Sequence, residues 1–185
     1  MQNPFLIGSK VYLRPLDLAD APTLTTWLND PEVTRYLLIH RPLMLLAEEA
    51  FLRKMSESEH DIVLGIVVRE PEQFIGVTGL NHLDTRNRHI QFGIVVGEKS
   101  AWSKGYGTEA ARLMVRYAFD TLNLNRVALH VFEYNERAMR AYQKAGFRME
   151  GRLRQETFRD GRYWDTFVMA VLREEWGTAD HPNVS

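Results

Sequence analysis

Residues Lys99–Phe119 read KSAWSKGYGTEAARLMVRYAF and join a loop containing two glycines to a segment with helical periodicity. The second half of this stretch repeats apolar residues at helical spacing and predicts a helix over about Thr108–Leu122 that packs on a sheet. The apolar face consists of Ala110, Leu113, Met114, Tyr117 and Ala118. Lys104, Gly105 and Gly107 stand at the entrance of this helix. Because a helix N-terminus carries unpaired N–H groups and the positive end of the helix dipole, the loop predicts a binding site for a phosphate.

Two known phosphate-binding motifs can be compared with this loop. A P-loop is excluded, because Lys104 precedes the glycines and the sequence contains no Gly-x4-Gly-Lys-Ser/Thr. The run GYGTEA matches the dinucleotide-binding pattern Gly-x-Gly-x-x-Gly/Ala, and Glu133 ends a later predicted strand. That pattern needs a strand running almost directly into the first glycine, whereas GEKSAWSK intervenes here. The dinucleotide interpretation is therefore disfavoured.

The rest of the chain predicts one α+β domain over residues 1–176. Strands are predicted at KVYLRPL, DIVLGIVVR, FIGVTGLNHL, HIQFGIVVG, RVALHVFEYN and on both sides of RDGR, whose Asp-Gly pair favours a tight hairpin turn. A short helix is predicted after Asp20 as its cap, ending at the break NDPE, and a second helix over Leu45–Glu57 with Phe51, Leu52 and Met55 on one face. The helix ERAMRAYQKAG ends at Gly146, where a left-handed C-terminal cap is expected. Residues 177–185 are predicted to be a disordered tail.

Composition limits the function classes. With 185 residues and a net charge of −1, the chain lacks the basic excess typical of nucleic-acid-binding proteins. No apolar run is long enough to span a membrane, and the N-terminal residues lack the pattern of a signal peptide. The absence of cysteine excludes disulfides and zinc–thiolate sites. A cytoplasmic protein that binds neither nucleic acid nor membrane is expected.

Four segments, in order, resemble the GCN5-related N-acetyltransferase (GNAT) superfamily. WSKGYGTEA and, one strand later, NERAMRAYQKAGF resemble its acyl-CoA signature. YLRPLDLADAPTLTTWLNDPEVTRYL and GRLRQETFRDGRYWDTFVMAVLREEW resemble the RimJ/RimL-type branch, which contains the ribosomal-protein N-terminal acetyltransferases. Together they cover roughly Lys10–Trp176. The resemblance implies a single-domain GNAT-like fold, with a mixed, mostly antiparallel twisted sheet flanked by helices and acyl-CoA held between two splayed strands.

The resemblance also implies which residues bind acetyl-CoA. Backbone amides of the glycine loop would hold the diphosphate, although Trp102 stands where the superfamily pattern begins with Gln or Arg. A bulged strand would bring a backbone N–H to the thioester, and Gly93 is the expected position of the irregularity. The implied cofactor-binding residues are Ile94, Val95, Val96, Ser103, Lys104, Gly105, Tyr106, Gly107, Thr108, Asn135, Arg137, Ala138, Tyr142 and Lys144. The pattern implies no metal.

Two residues are implied to act in the transfer itself, Tyr142 and Asn135. They belong to the family pattern Asn-x-x-Ala-x-x-x-Tyr-x-Lys-x-Gly-Phe, which Asn135–Phe147 matches. A phenol with its ordinary pKa of about 10 is protonated at neutral pH, so Tyr142 can donate to the leaving thiolate. Without the motif, Tyr142 would be interpreted as a core tyrosine. Asn135 is predicted to cap its helix and, by the resemblance, to contact the pantetheine arm.

The general base is left open by the sequence. Many relatives carry a glutamate on the bulged strand where this chain has Gln91, and a glutamine cannot take the proton of the amine. The remaining candidates are His82, His89, Glu98 and His130. A lone histidine is more often structural than catalytic, and a water chain or an amine that arrives neutral would remove the need for a base.

The acceptor is likewise open between a protein N-terminus, a polyamine, an aminoglycoside and an amino acid. The resemblance implies an acceptor site built by the N-terminal helices and the last hairpin, including Tyr163 and Asp165. Four acidic residues near the first helix would suit a cationic acceptor, although helix caps explain them equally well: Asp17, Asp20, Asp30 and Glu32. Four aromatic residues could line the pocket or serve the core: Trp27, Tyr36, Trp102 and Trp164.

The predicted function is an acetyl-CoA-dependent N-acetyltransferase that moves an acetyl group to a primary amine in a ternary complex. The alternative is a non-catalytic acyl-CoA-binding or sensing module of the same fold. A homodimer is compatible with either.

Overall fold

Eight strands build one sheet in the computed structural model, which describes residues 1–176. The predicted tail at 177–185 lies outside the described residues. The strands are β1 Leu6–Ile7, β2 Val11–Pro15, β3 Ile62–Arg69, β4 Glu72–Asp84, β5 His89–Val96, β6 Arg126–Phe132, β7 Arg148–Arg159 and β8 Arg162–Leu172. Their order across the sheet is β1-β2-β3-β4-β5-β6-β8-β7, and β5 and β6 form the parallel pair in an otherwise antiparallel arrangement. This is the predicted mixed, mostly antiparallel α+β fold.

Six α-helices of the described residues 1–176 flank the sheet. They are α1 Ala21–Leu28, α2 Pro31–Thr34, α3 Leu45–Ser56, α4 Tyr106–Asp120, α5 Glu136–Lys144 and α6 Arg173–Trp176. The break predicted at NDPE is a new short helix, α2, because the Asp30 side chain accepts the N–H of Glu32 and Pro31 starts the turn. No helix within residues 1–176 is long and apolar enough to cross a membrane.

The turn residues behave as their chemistry predicts. Gly146 follows α5 with φ +100, the left-handed conformation expected of a C-terminal cap. Asp160 and Gly161 have φ values of +52 and +77 between β7 and β8. Positive φ at both central residues is the signature of a tight type I′ hairpin, as predicted from the Asp-Gly pair.

The inward face of α3 differs from the prediction. Glu48 and Leu52 are buried and Met55 is half-buried, whereas Phe51 is 42% exposed. These inward positions follow the spacing i, i+4, i+7. The prediction was wrong at Phe51 because it considered only apolar residues, whereas the third residue of the inward face is a glutamate, Glu48.

Two apolar clusters hold the elements together. The larger one lies between the sheet and the helices α4 and α5, with Met114, Phe119 and Phe147 among its fully buried side chains. The smaller one joins α1 to α3 through Ala21, Leu24 and Leu52. The smaller cluster positions the N-terminal helices over the sheet, where they close one end of the cleft described next.

Candidate active site

The strands β5 and β6 pair for only three residues and then separate. The pairing runs from His89 with Arg126 to Gln91 with Ala128, and beyond Gln91 the strand β5 pairs with β4 alone. A cleft of about 1310 Å³ opens along this split. Backbone groups on the free edge of β5 therefore face a ligand-sized space, as predicted for two splayed strands.

The glycine loop enters this cleft at the start of α4. Gly105 has φ +86 and occupies the N-cap position without any side-chain cap. The first helical hydrogen bond runs from Glu109 N–H to the Gly105 carbonyl. Within the described chain, no backbone N–H from Ser103 to Thr108 donates to a protein acceptor. A row of unpaired N–H groups at the positive end of a helix is suited to bind a diphosphate.

Cationic side chains surround this row of amides. Lys104 and Lys144 line the cleft, as do two residues that sequence reasoning missed, Lys10 and Arg112. A Cβ on Gly105 would lie 3.9 Å from Lys10 Nζ, so this ammonium stands directly over the loop. Glu109 fixes the segment by accepting the N–H groups of Ser9 and Lys10. Lys10 is about 100 residues distant in sequence, so no local pattern could indicate it.

Trp102, at the unusual first position of the loop motif, ties the loop to β5. Its indole Nε1 donates to the Val96 carbonyl at 2.7 Å. The Arg137 guanidinium carbon lies 3.9 Å from the Trp102 ring centre and 5.4 Å from that of Tyr36. Arg137 is therefore held between two aromatic faces at the cleft wall, an arrangement that fixes its position through cation–π contacts.

Tyr142 combines a packed ring with an unpartnered hydroxyl. The ring lies edge-on to Phe92 and against Phe147, and the residue is 9% exposed. Its hydroxyl makes no hydrogen bond within residues 1–176, and the residue lines the cleft. Burial raises the pKa of Tyr142 to about 12, so the hydroxyl is protonated throughout the neutral range.

Asn135 caps α5 as predicted. Its side-chain oxygen accepts the N–H of Ala138 at 3.2 Å, and the amide nitrogen donates to no group of the described chain. Both residues line the cleft. The capping bond therefore fixes the side chain while leaving two N–H donors free.

The predicted irregularity at Gly93 is wrong. The register between β4 and β5 is unbroken from Gly76–Val96 to Asn81–Gln91 and shifts only beyond Asn81, on β4. There His82 has φ +58, and its N–H donates to the Asp61 carboxylate. The free backbone edge of β5 thus comes from its separation from β6 rather than from a bulge.

The structure separates the candidate bases. His130 on β6 is exposed and lines the cleft, whereas His82, His89 and Glu98 do not line it. Gln91 is exposed and also lies outside the lining. A glutamate at position 91 would also lie outside this cleft, so the presence of Gln91 does not deprive the cleft of a carboxylate base.

The end of the cleft away from the glycine loop is lined by the N-terminal helical region, with Leu24, Leu28, Leu43 and Phe51, and by segments of β3 and β4. Because the acceptor is predicted to bind beside the N-terminal helices, this end is called the acceptor end. The expectation that Tyr163 and Asp165 contribute is wrong. Tyr163 is exposed and packs on Phe158, and Asp165 binds Arg152 across the hairpin.

The four acidic residues near α1 are all engaged elsewhere. Asp17 and Asp20 cap the turn before α1, and Asp20 also pairs with Arg14 at 2.7 Å, so it does not cap α1 itself. Asp30 and Glu32 both bind the Lys99 ammonium at 2.9 Å. None of these four lines the cleft, so the explanation as caps and ion pairs holds.

Glu48 is an acidic residue at the acceptor end of the cleft that was not predicted from the sequence. It is 4% exposed and lines the cleft, and its carboxylate makes no hydrogen bond or ion pair within residues 1–176. Removal from water raises the pKa of its carboxyl group.

All of the residues predicted to bind the cofactor line this one cleft. Of the four aromatic candidates, Tyr36 and Trp102 line it, whereas Trp27 packs on Phe74 and Trp164 on Tyr134. Within residues 1–176, no cluster of acidic and histidine side chains is arranged to hold a metal ion. A split sheet, a helix entrance with unpaired N–H groups and a buried tyrosine line one cleft, which is the arrangement expected of an acyl-CoA-dependent acyltransferase.

Comparisons with known proteins agree. The acetyltransferase (GNAT) domain family matches residues 10–148. An uncharacterized N-acetyltransferase, p20, of Bacillus licheniformis is 30% identical over 92% of this chain and 97% of its own length. The spermidine N(1)-acetyltransferase of Escherichia coli is 29% identical over 92% of this chain and 90% of its own. The crystal structure of spermidine N-acetyltransferase from Vibrio cholerae with CoA and spermine superposes with a TM-score of 0.85 at 24% identity, covering 91% of this chain and 99% of that one. The chain belongs to the GNAT acetyltransferase family and is an acetyl-CoA-dependent N-acetyltransferase.

Proposed function

We propose that this enzyme moves the acetyl group to a primary amine by direct attack of the amine, with both substrates in the cleft at once. The observation that carries the proposal is the β5–β6 split, which brings unpaired backbone, the Tyr142 hydroxyl and His130 to one cleft. Acetyl-CoA supplies an activated thioester. The free amides of Ser103–Thr108 and the surrounding lysines fit its diphosphate.

Backbone alternation supports one donor for the thioester carbonyl. The Gly93 carbonyl accepts from Thr78 Oγ1 on β4 at 3.0 Å, whereas the Val96 carbonyl accepts from Trp102 Nε1 on the cleft side at 2.7 Å. Since the carbonyl and the N–H of one peptide group point to opposite edges of a strand, the N–H groups of both Ile94 and Val96 point to the split, whereas that of Val95 points to β4. The Trp102 indole covers this edge at Val96. Of the three candidates Ile94, Val95 and Val96, we assign Ile94 as the donor that stabilises charge on the carbonyl oxygen.

Tyr142 is proposed to donate a hydrogen bond to the departing sulfur, and His130 to accept the proton that the amine loses. With its pKa at about 12, the phenol lies about 3.5 above a thiol of pKa ~8.5. Full proton transfer from the tyrosine would therefore be uphill by roughly 5 kcal/mol, so a hydrogen bond is its contribution. The free Asn135 amide and Ala138 would border the pantetheine arm, while Lys144 and Arg137 would face the phosphates and adenosine.

The test is a thiol-release assay on Tyr142→Phe, with acetyl-CoA and a panel of amines. We expect kcat to fall about 10²-fold with the Kd of acetyl-CoA nearly unchanged, because the hydroxyl acts only on the departing group. Tyr117→Phe is the matched control, since Tyr117 is also a partly buried tyrosine with a raised pKa but lies outside the cleft. An unchanged kcat would remove Tyr142 from the reaction, and a large loss of Tm would assign it to the core. Wild-type enzyme that releases no thiol with any amine would overturn the proposed function.

A further inference from the structure

Glu48 is a buried carboxylate with no partner in the described chain. The residue is 4% exposed. Within residues 1–176, the fully buried side-chain polar atoms without a hydrogen-bond partner are Thr25 Oγ1 and Arg159 Nε. The Glu48 oxygens are not among them, so they keep some contact with solvent. The Glu48 carboxylate makes no hydrogen bond within residues 1–176, and the residue lines the cleft. The carboxylate therefore stands without a partner beside the space that a substrate would fill.

The position of Glu48 works against folding. It stands one turn before Leu52 on the inward face of α3, where an apolar side chain would pack against α1. An unpaired buried carboxylate at such a site costs stability that a leucine would not. Its place in the first turn of α3 favours the charged form, because the helix dipole is positive there. A carboxylate that lowers the stability of the fold in this way indicates that a cationic ligand pairs with it.

The remaining acidic groups limit how many cations the acceptor end can bind. Glu109, the other carboxylate of the cleft lining, is occupied by the N–H groups of Ser9 and Lys10. Asp30 and Glu32 hold Lys99 outside the cleft. One carboxylate is therefore free to bind one ammonium group.

The bound ammonium is not the nitrogen that reacts. An amine must be neutral to attack the thioester, whereas a carboxylate partner keeps an ammonium protonated. The N-terminal helical region, which carries Glu48, contributes mostly apolar residues to the cleft lining, among them Leu24, Leu28, Leu43 and Phe51. These walls suit a hydrocarbon segment between the anchored nitrogen and the reacting one.

We propose that Glu48 anchors a second ammonium group of the acceptor, so that the preferred acceptors are linear diamines with an apolar spacer. This inference rests on the proposed function, because it names the acceptor class of that reaction. It also separates this chain from a site built for longer polycations, whose additional ammonium groups would meet leucine side chains here.

The experiment compares α,ω-diaminoalkanes, from propane to octane, with the monoamines of equal length. For wild-type enzyme we expect kcat/KM to favour the best diamine over its monoamine by about 10- to 100-fold, mainly through KM. In Glu48→Gln this preference should fall to within about 3-fold, because the neutral amide offers no counter-charge. Spermidine should not exceed the best diamine.

Glu49→Gln is the matched control, since it removes a charge from the next residue of the same helix but lies outside the cleft lining. It should keep the diamine preference. Glu48→Met replaces the carboxylate by a side chain suited to the apolar face and should lose the preference while folding and binding acetyl-CoA normally. Equal use of monoamines and diamines by wild type, or a preference that survives in Glu48→Gln, would overturn the inference while leaving the proposed function intact. Absence of turnover with every amine would instead count against the proposed function itself.

Discussion

The phosphate end of the cleft is lined by unpaired backbone amides and lysine side chains, whereas the acceptor end is lined by leucines and one carboxylate. The first end depends on backbone conformation at a helix entrance, and we propose that it binds the diphosphate, a group common to every reaction of the enzyme. The second depends on side chains of α1 and α3, which pack through a small cluster of their own. On this proposal the main chain recognises the cosubstrate, and single side-chain changes would alter the choice of acceptor.

The strongest test of this contrast is Gly105→Val. A β-branched residue at φ +86 costs roughly 2 kcal/mol or more in backbone strain. The loop must therefore change conformation. We expect the Kd of acetyl-CoA to rise roughly 30- to 100-fold in calorimetry, with the diamine preference retained. Gly161→Val introduces the same residue at φ +77 in the distant hairpin and should lower Tm without changing that Kd. Equal effects of both variants on Kd would contradict the role of the loop.

A second test lies at the split between the two ends. His130→Gln should lower kcat/KM about 10-fold at neutral pH, because the amine loses the group proposed to accept its proton. His89→Gln is the control, because His89 lies on the neighbouring strand outside the cleft and faces Asp84. A kcat/KM that is unchanged in His130→Gln would show that the amine loses its proton elsewhere.

A smaller effect is expected from the lysine that stands over the glycine loop. Lys10→Ala removes one charge beside the anion site and should weaken acetyl-CoA about 3- to 10-fold at low ionic strength. Added salt should narrow the difference, since salt screens exposed charges. Lys54→Ala, an exposed charge on α3, should leave the affinity unchanged. Salt-independent weakening would point to a packing role of the Lys10 side chain instead.

The smallest effect concerns stability at the acceptor end. Glu48→Met should raise Tm by about 2 to 6 °C near neutral pH, because it removes an unpaired buried carboxylate. Since burial raises the pKa of Glu48 in the folded state, the folded chain binds more protons than the unfolded chain between the two pKa values. Wild-type stability therefore falls as pH rises through that window, and the advantage of the variant should grow from about pH 4 toward neutrality. A Tm gain that is independent of pH would show that the carboxylate is not the cause.

The contrast between backbone conformation and side-chain contacts also explains which features the sequence predicts well. Gly105, Gly146 and the Asp160-Gly161 pair act through backbone conformations that few other residues adopt, so their local pattern is informative. Asn135 caps α5 with its own side chain, again a local interaction. The positions of most strands along the chain follow from the hydrophobic pattern, and the mixed, mostly antiparallel sheet follows from the family resemblance.

What the sequence could not predict depends on contacts between distant segments. Glu48 resembles any surface glutamate until α1 covers its face of α3. Lys10 approaches Gly105 only because Glu109 holds the segment after β1. Asp20 and Asp30, by contrast, looked available for a substrate and are neutralised by Arg14 and Lys99. Charge alone does not distinguish a ligand-binding carboxylate from a capping one, and burial next to a cleft does.

The contact between Glu109 and the Ser9–Lys10 segment has a kinetic consequence. It joins residues about 100 positions apart, so the complete anion site exists only after both parts of the chain have come together. A ligand that binds only this assembled site stabilises the native state and not the species that precede it. Saturating acetyl-CoA should therefore slow unfolding while leaving the folding rate nearly unchanged, making the enzyme longest-lived in cells where its cosubstrate is abundant.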